Sequence, residues 1–142
     1  MPNPDQIERF RRFNRFYTNY LGLLGNALYD TPVNLAEARI LYELDSAPGI
    51  PAKNLMDKLG LDKGYLSRLL KRLAHNGLIS KTRSRGDARV QELRLSARGA
   101  TLMRELHAKA SDQAARAMAG LSGKDRARLL DAMAAIETIL CQ

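Results

Sequence analysis

The sequence predicts a mainly α-helical fold that carries one small β-hairpin. Three observations lead there. Apolar residues recur at spacings of three and four through most of the 142 residues. Asn, Pro and Gly punctuate the apolar segments. One stretch, 78–95, reads as two short strands around a polar, glycine-containing tip. A chain of this length forms one domain, or one compact unit with helical extensions, and it buries a real core.

The elements follow in order. Residues 5–29 read as one long helix, with Ile7, Phe10, Phe13, Tyr17, Leu21, Leu24 and Leu28 on one stripe and Phe16, Tyr20, Leu23 and Ala27 beside it. So wide an apolar surface exceeds what one packing partner covers, which points to burial in a dimer as well as in its own domain. Asp30-Thr31-Pro32 ends this helix. Asn34 with Glu37 three residues on is a capping-box pattern opening a helix at 35–46, with Ala38, Leu41, Tyr42 and Leu44 inward. Pro48-Gly49 breaks it. A short helix at 51–59 is opened by Pro51 and closed by Gly60. Asp62 caps the next, in which Leu66, Leu69, Leu70 and Leu73 make one apolar face and Gly64, Arg68, Lys71, Arg72 and His75 the other, until Asn76-Gly77 stops it. The hairpin pairs Leu78–Thr82 with Arg89–Leu95. Ser96 to Gly120 forms a long alanine-rich helix, and Ser122 caps a last one. Short helix, tight glycine turn, basic helix and hairpin together make a winged helix-turn-helix over 35–95, flanked by helical dimerisation segments at 1–34 and 96–142.

Charge sharpens the reading. The chain has a formal net charge of +8. Residues 62–89 hold Lys63, Arg68, Lys71, Arg72, Lys81, Arg83, Arg85 and Arg89 against only Asp62 and Asp87, so this one unit carries most of the excess. Concentrated positive charge on a helix and hairpin is the footprint of a protein that grips a phosphate backbone. The first turns of the basic helix present Lys63, Gly64, Tyr65, Ser67 and Arg68 to base edges, with Arg68 suited to a bidentate contact with guanine. Lys71, Arg72 and His75 lie further along, where phosphates are nearer. In the wing, Arg85 or Arg89 reaches the minor groove, and Asp87 orients one of them by a charge-assisted hydrogen bond. Gly64, unfavourable in a helix, suits close approach of DNA or is drift at a tolerant helix start.

The stretch from Leu35 to Gly99 resembles the MarR family of winged helix-turn-helix transcription regulators. LDKGYLSRLLKRLAHNGLISK carries the likeness, followed by Asp87-x-Arg89 and Leu93-x-Leu95-Ser96-x-x-Gly99. RRFNRFYTNYLGLL and EARILYEL are similar to the subgroup often fused to a GNAT-type acetyltransferase, although 142 residues leave no room for that second domain. The resemblance implies an obligate homodimer, held by the terminal helices, on a pseudo-palindromic double-stranded DNA operator and often released by a small aromatic or phenolic effector; a repressor is the expected role. It maps the base-reading turn onto Lys63, Gly64, Tyr65, Ser67 and Arg68, and the wing onto Asp87 and Arg89. Two positions depart from the family pattern: Gly64 replaces a small hydroxyl residue, and Pro51 a capping Thr or Ser.

Seven of the eight aromatics lie within 10–42. Tyr17, Tyr20, Arg39 and Tyr42 suit an effector pocket of apolar walls, hydroxyl handles and a carboxylate anchor, yet aromatics at helical spacing also simply pack. His75, His107 and the lone Cys141 have no metal-ligand spacing, and no cofactor is expected. No nucleophile triad, phosphate loop or carboxylate pair suggests an enzyme. The opening MPNPDQIERFRRF lacks an apolar stretch, and one cysteine forms no internal disulfide, so the expected location is cytoplasmic. The alternative in another class is a winged-helix interaction or chromosome-packaging module with little sequence preference.

Overall fold

A computed structural model describes residues 1–22 and 28–141. The chain divides into two compact units, Met1–Leu106 and His107–Gln142. In the first unit, α1 (Pro4–Tyr20) is followed by α2 (Leu35–Ser46), β1 (Ile50–Pro51), α3 (Ala52–Leu59), α4 (Lys63–His75), β2 (Ile79–Arg83) and β3 (Gln91–Leu95). Helix α5 (Ala97–Ala119) starts in this unit and α6 (Gly123–Leu140) lies in the second.

The first helix is shorter than its apolar stripe predicts. Leu21 forms the C-cap, and Gly22, at φ 69°, turns the chain into the left-handed region that ends a helix. Leu23, Leu24 and Ala27 of the expected stripe lie outside the described residues, and Leu28–Val33 is a turn closed by bonds from Leu28 N–H to Val33 and from Thr31 N–H to Leu28. Asn3 and Gln6 make a capping box at the start of α1.

Helix α2 begins as its sequence predicts. Asn34 Oδ1 accepts from Glu37 N–H at 2.9 Å, and Glu37 Oε1 accepts from Asn34 N–H at 3.1 Å. Ala38, Ile40, Leu41 and Leu44 point into the core, whereas Tyr42, expected inward, is 43% exposed. Three- and four-residue spacing defines the inward face around Leu41, and Ile40 falls within it where Tyr42 does not.

The core joins Ile40, Leu41 and Leu44 of α2 to Leu55 of α3, the four leucines of α4, Ile79 and Leu93 of the sheet, and Leu102, Met103 and Leu106 of α5. The first turns of α5 therefore belong to the same core as the helix-turn-helix, beyond residue 95. Gly99 marks that junction. A Cβ there would clash with the Leu78 carbonyl oxygen, so only glycine lets α5 rest on this backbone. Ser96 completes it, its hydroxyl donating to the Gly77 carbonyl and accepting from Gly99 N–H.

The sheet has three strands in the order β1-β3-β2, all antiparallel. Ile79 faces Leu95 and Arg83 faces Gln91 across the hairpin, while Ile50 faces Leu93 on the other edge. The third strand is an addition to the predicted hairpin. Two residues are too few to show an alternating pattern, and Pro51 suits an edge position because it has no N–H to contribute. Pro51 is also the N-cap of α3, which starts without a side-chain cap and ends at Gly60 with φ 63°.

In the second unit, Ser122 caps α6 by accepting from Asp125 N–H at 3.1 Å. Leu130, Met133, Ile136, Ile139 and Leu140 are exposed, and α6 has no buried residue.

Candidate nucleic-acid interface

The site is built on α4. Asp62 Oδ1 accepts from Tyr65 N–H at 2.8 Å and so opens the helix at Lys63. Leu66, Leu69, Leu70 and Leu73 are buried, which turns Lys63, Gly64, Ser67, Arg68, Lys71 and Arg72 outward. Tyr65 lies between the two faces. It packs against the core edge, and the Arg68 guanidinium sits 5.9 Å from its ring centroid. That cation–π contact restrains the side chain most suited to a base contact. A Cβ at Gly64 would lie 3.4 Å from Asp62 Oδ1 and 3.5 Å from Arg68 Nη1, ordinary contact distances. The fold therefore has no steric need for glycine here, in contrast to Gly99.

The wing carries the second group of cations. Of the two candidates for orientation by Asp87, Arg89 is the one held: its Nε donates to Oδ1 at 3.2 Å, its Nη2 to Oδ2 at 3.3 Å, and its backbone N–H to Oδ1 at 3.0 Å. These bonds hold the Asp87 carboxyl below the usual aspartate range, the Arg89 side chain contributing most and its backbone N–H next. Arg89 is nevertheless 91% exposed, an oriented guanidinium presented outward. Ser84 N–H to the Val90 carbonyl and Val90 N–H to the Asp87 carbonyl close the tip, where Arg85 is also exposed.

Two open grooves bring these elements together. One is lined by Lys53 and Asn54 of α3 and by Arg83, Arg89 and Gln91 of the wing. The other has Met56, Leu66 and Leu70 as its apolar floor and Lys53, Lys63, Ser67 and Lys81 around it. Ala52, Lys53 and Gln91 line both. Sequence reasoning did not include Lys53 among the site residues. Its signal was a lysine in the first turn of a helix-turn-helix, but the strand pairing that brings it beside the wing is not legible from local pattern.

Arg72 has a partner inside the chain. Its Nη2 lies 2.9 Å from Glu37 Oε1 and its Nε donates to Oε2 at 3.1 Å. The Glu37 side chain is only 4% exposed, and this carboxylate keeps the guanidinium more firmly protonated than usual. A second buried carboxylate, Glu43, is met by Arg39 Nη2 at 3.1 Å and by Lys58 Nζ at 2.7 Å. Among the described residues no hydrogen bond of good geometry reaches Glu43 Oε2, so the Lys58 contact is chiefly electrostatic. Together these pairs tie α2 to α3 and α4.

The four residues expected around an effector form two pairs. Tyr17 and Tyr20 stack on α1 with centroids 6.2 Å apart, and Arg39 lies over the Tyr42 ring at 5.6 Å while bonding Glu43. Among the described residues no group of three or more His, Cys, Asp or Glu is placed to hold a metal, and no helix is long and apolar enough to cross a membrane.

Known proteins resemble this chain in sequence and in fold. Residues 33–90 match the sequence profile of the MarR family. The HTH-type transcriptional regulator PetP of Rhodobacter capsulatus is 35% identical over 71 residues, which span 50% of this chain and 43% of that protein. The fold is shared with a MarR family protein from Bacillus stearothermophilus, at a TM-score of 0.81, 18% identity and full coverage of both chains. It is shared also with FabT from Streptococcus pneumoniae, solved in complex with DNA, at a TM-score of 0.75 and 20% identity over 92% of this chain and 96% of that one. These matches do not separate the acetyltransferase-fused subgroup from the rest. Residues 33–90, which hold most of the winged helix-turn-helix, are thus similar in sequence to the MarR family, and the fold is one that a MarR family protein shares.

Proposed function

We propose that this protein is a sequence-specific DNA-binding regulator of transcription, acting as a homodimeric repressor on a pseudo-palindromic operator. The observation that carries the reading is the convergence of Lys53, Lys63, Lys81, Arg83 and Arg89, from α3, α4 and the wing, on two adjoining grooves. Cations brought together from separate elements suit a polyanion, because each neutralised phosphate releases counterions. In this reading Lys63, Gly64, Tyr65, Ser67 and Arg68 face bases in the major groove, Lys71 and Arg85 face phosphates, and Arg89, oriented by Asp87, enters the minor groove. The exposed apolar residues of α1, including Phe10, Phe13 and Phe16, and those of α6 are the proposed subunit contacts. An aromatic effector that releases the DNA would meet the exposed Tyr20 of the Tyr17–Tyr20 stack, since Arg39 is already bonded to Glu43.

The test is a salt titration of binding to a duplex selected by the protein from a random pool, beside an unselected duplex of equal length. Regulation predicts a preference on the order of a thousandfold or more together with a steep salt dependence. A steep salt dependence without preference would make the protein a packaging module instead.

A further inference from the structure

The capping residue of α2 also grips α4. Glu37 completes the capping box with Asn34, and the same carboxylate receives the Arg72 guanidinium through two nitrogens. Capping glutamates normally stand at an exposed helix end, but this one is 3% exposed as a residue. Arg72 lies on α4 one turn beyond Arg68 and beside Lys71, so a guanidinium free to move there would serve as a phosphate contact. Here it is clamped, and a two-point, charge-assisted bond fixes direction as well as distance. The leucine face alone defines which side of α4 is inward, but apolar packing is non-directional and tolerates small rotations about the helix axis. A bidentate bond from α4 to the fixed start of α2 opposes such a rotation.

On the reading of the site given above, we infer that Arg72 is a positioning residue, clamped by Glu37 so that α4 presents Lys63 to Arg68 to the bases at one fixed rotation, and not a phosphate contact. The pair thereby contributes to sequence discrimination without touching DNA. A displacement of about 1 Å at a reading side chain is enough to spoil paired hydrogen bonds to a base edge.

Glu37→Gln isolates this role, because glutamine at this position keeps the capping box while losing the charge that holds Arg72. Arg72→Gln and the double variant Glu37→Gln/Arg72→Gln complete a cycle, and Arg72→Lys keeps the charge while losing the two-point bond. Affinities are measured on the selected duplex and on the unselected one, at several salt concentrations and below each variant's unfolding temperature. The expected result is a fall of about tenfold in the preference for the selected duplex, the size of one impaired base contact, in each single variant and no larger a fall in the double. Arg72→Lys should fall partway, and affinity for the unselected duplex and its salt slope should not change. If Arg72→Gln weakens both duplexes alike and reduces the salt slope by about one, Arg72 is a phosphate contact and the inference is overturned. If the preference survives in all variants, the clamp stabilises the fold only, which also overturns it. A wild-type protein with no preference would instead overturn the DNA-reading function itself, and this inference with it.

Discussion

Helices α4 and α6 both carry large apolar residues three and four positions apart, and these meet opposite fates. In α4, four leucines at three- and four-residue spacing are all buried. In α6, Leu130, Met133 and Ile136 recur at comparable intervals and all remain exposed. The difference lies in what surrounds them. Helix α4 is covered by α2, α3, the sheet and the start of α5 within one core. The apolar residues of α6, like most of those of α1, are exposed among the described residues. Periodicity therefore tells which face of a helix is apolar, and only the rest of the fold tells whether that face belongs to the core or to a partner.

Truncation on the two helices should separate these cases most sharply. Leu73→Ala leaves a cavity in a closed core and should cost about 2–5 kcal/mol of stability at any protein concentration. Ile136→Ala should cost little in dilute solution and show its effect as a shift in self-association, so its apparent unfolding temperature should depend on concentration. Thermal unfolding over a hundredfold concentration range checks this. Equal, concentration-independent losses would mean that α6 is packed into the core of the single chain.

The outward face of α4 should also divide. Arg68→Ala should lower affinity for the selected duplex by about 1–3 kcal/mol and relax the choice at one base position, whereas Lys71→Ala should weaken every duplex alike. Competition binding with single-base variants of the site reads the difference. Equal losses on both duplexes in both variants would remove the distinction between reading and gripping.

A smaller effect is expected at Gly64. Alanine fits there without a clash, so Gly64→Ala should leave the fold intact or stabilise it by up to about 1 kcal/mol. Its DNA affinity should nonetheless fall if the backbone approaches the duplex closely. Unchanged affinity would assign Gly64 no part in binding.

The mildest prediction concerns acid. Asp87 has its carboxyl lowered below the ordinary 3.8 by the Arg89 side chain and backbone. A depressed pKa means that the Asp87–Arg89 contact contributes fully above the ordinary value and is lost as pH falls through the lowered one. An NMR titration of the Asp87 carboxyl should therefore have its midpoint below 3.8 in the wild type. It should move up in Arg89→Ala, though the backbone N–H of residue 89 remains.

Local signals were legible in the sequence and distant ones were not. Asp62, Asn34 and Ser122 are caps because a polar side chain bonds a backbone N–H three residues on, information contained in four consecutive positions. The leucine face of α4 and the Asp87–Arg89 pair are equally local. The end of α1 was misplaced because apolar spacing continues past Tyr20 while the backbone turns at Gly22. The Glu37–Arg72 clamp links positions 35 residues apart, and Glu37 already had a sufficient local reason to be a glutamate. Lys53 lines the grooves beside the wing because β1 pairs with β3 and sets the start of α3 there.

That placement gives the most direct test of the central claim, that α3, α4 and the wing present one DNA-binding face. Lys53 lines both grooves and has no role in the predicted base-reading turn. In Lys53→Ala, the slope of log affinity against log salt should fall by about one on selected and unselected duplexes alike, with the preference between them unchanged. An unchanged slope on both would show that phosphates do not pass between α3 and the wing, and would contradict the account.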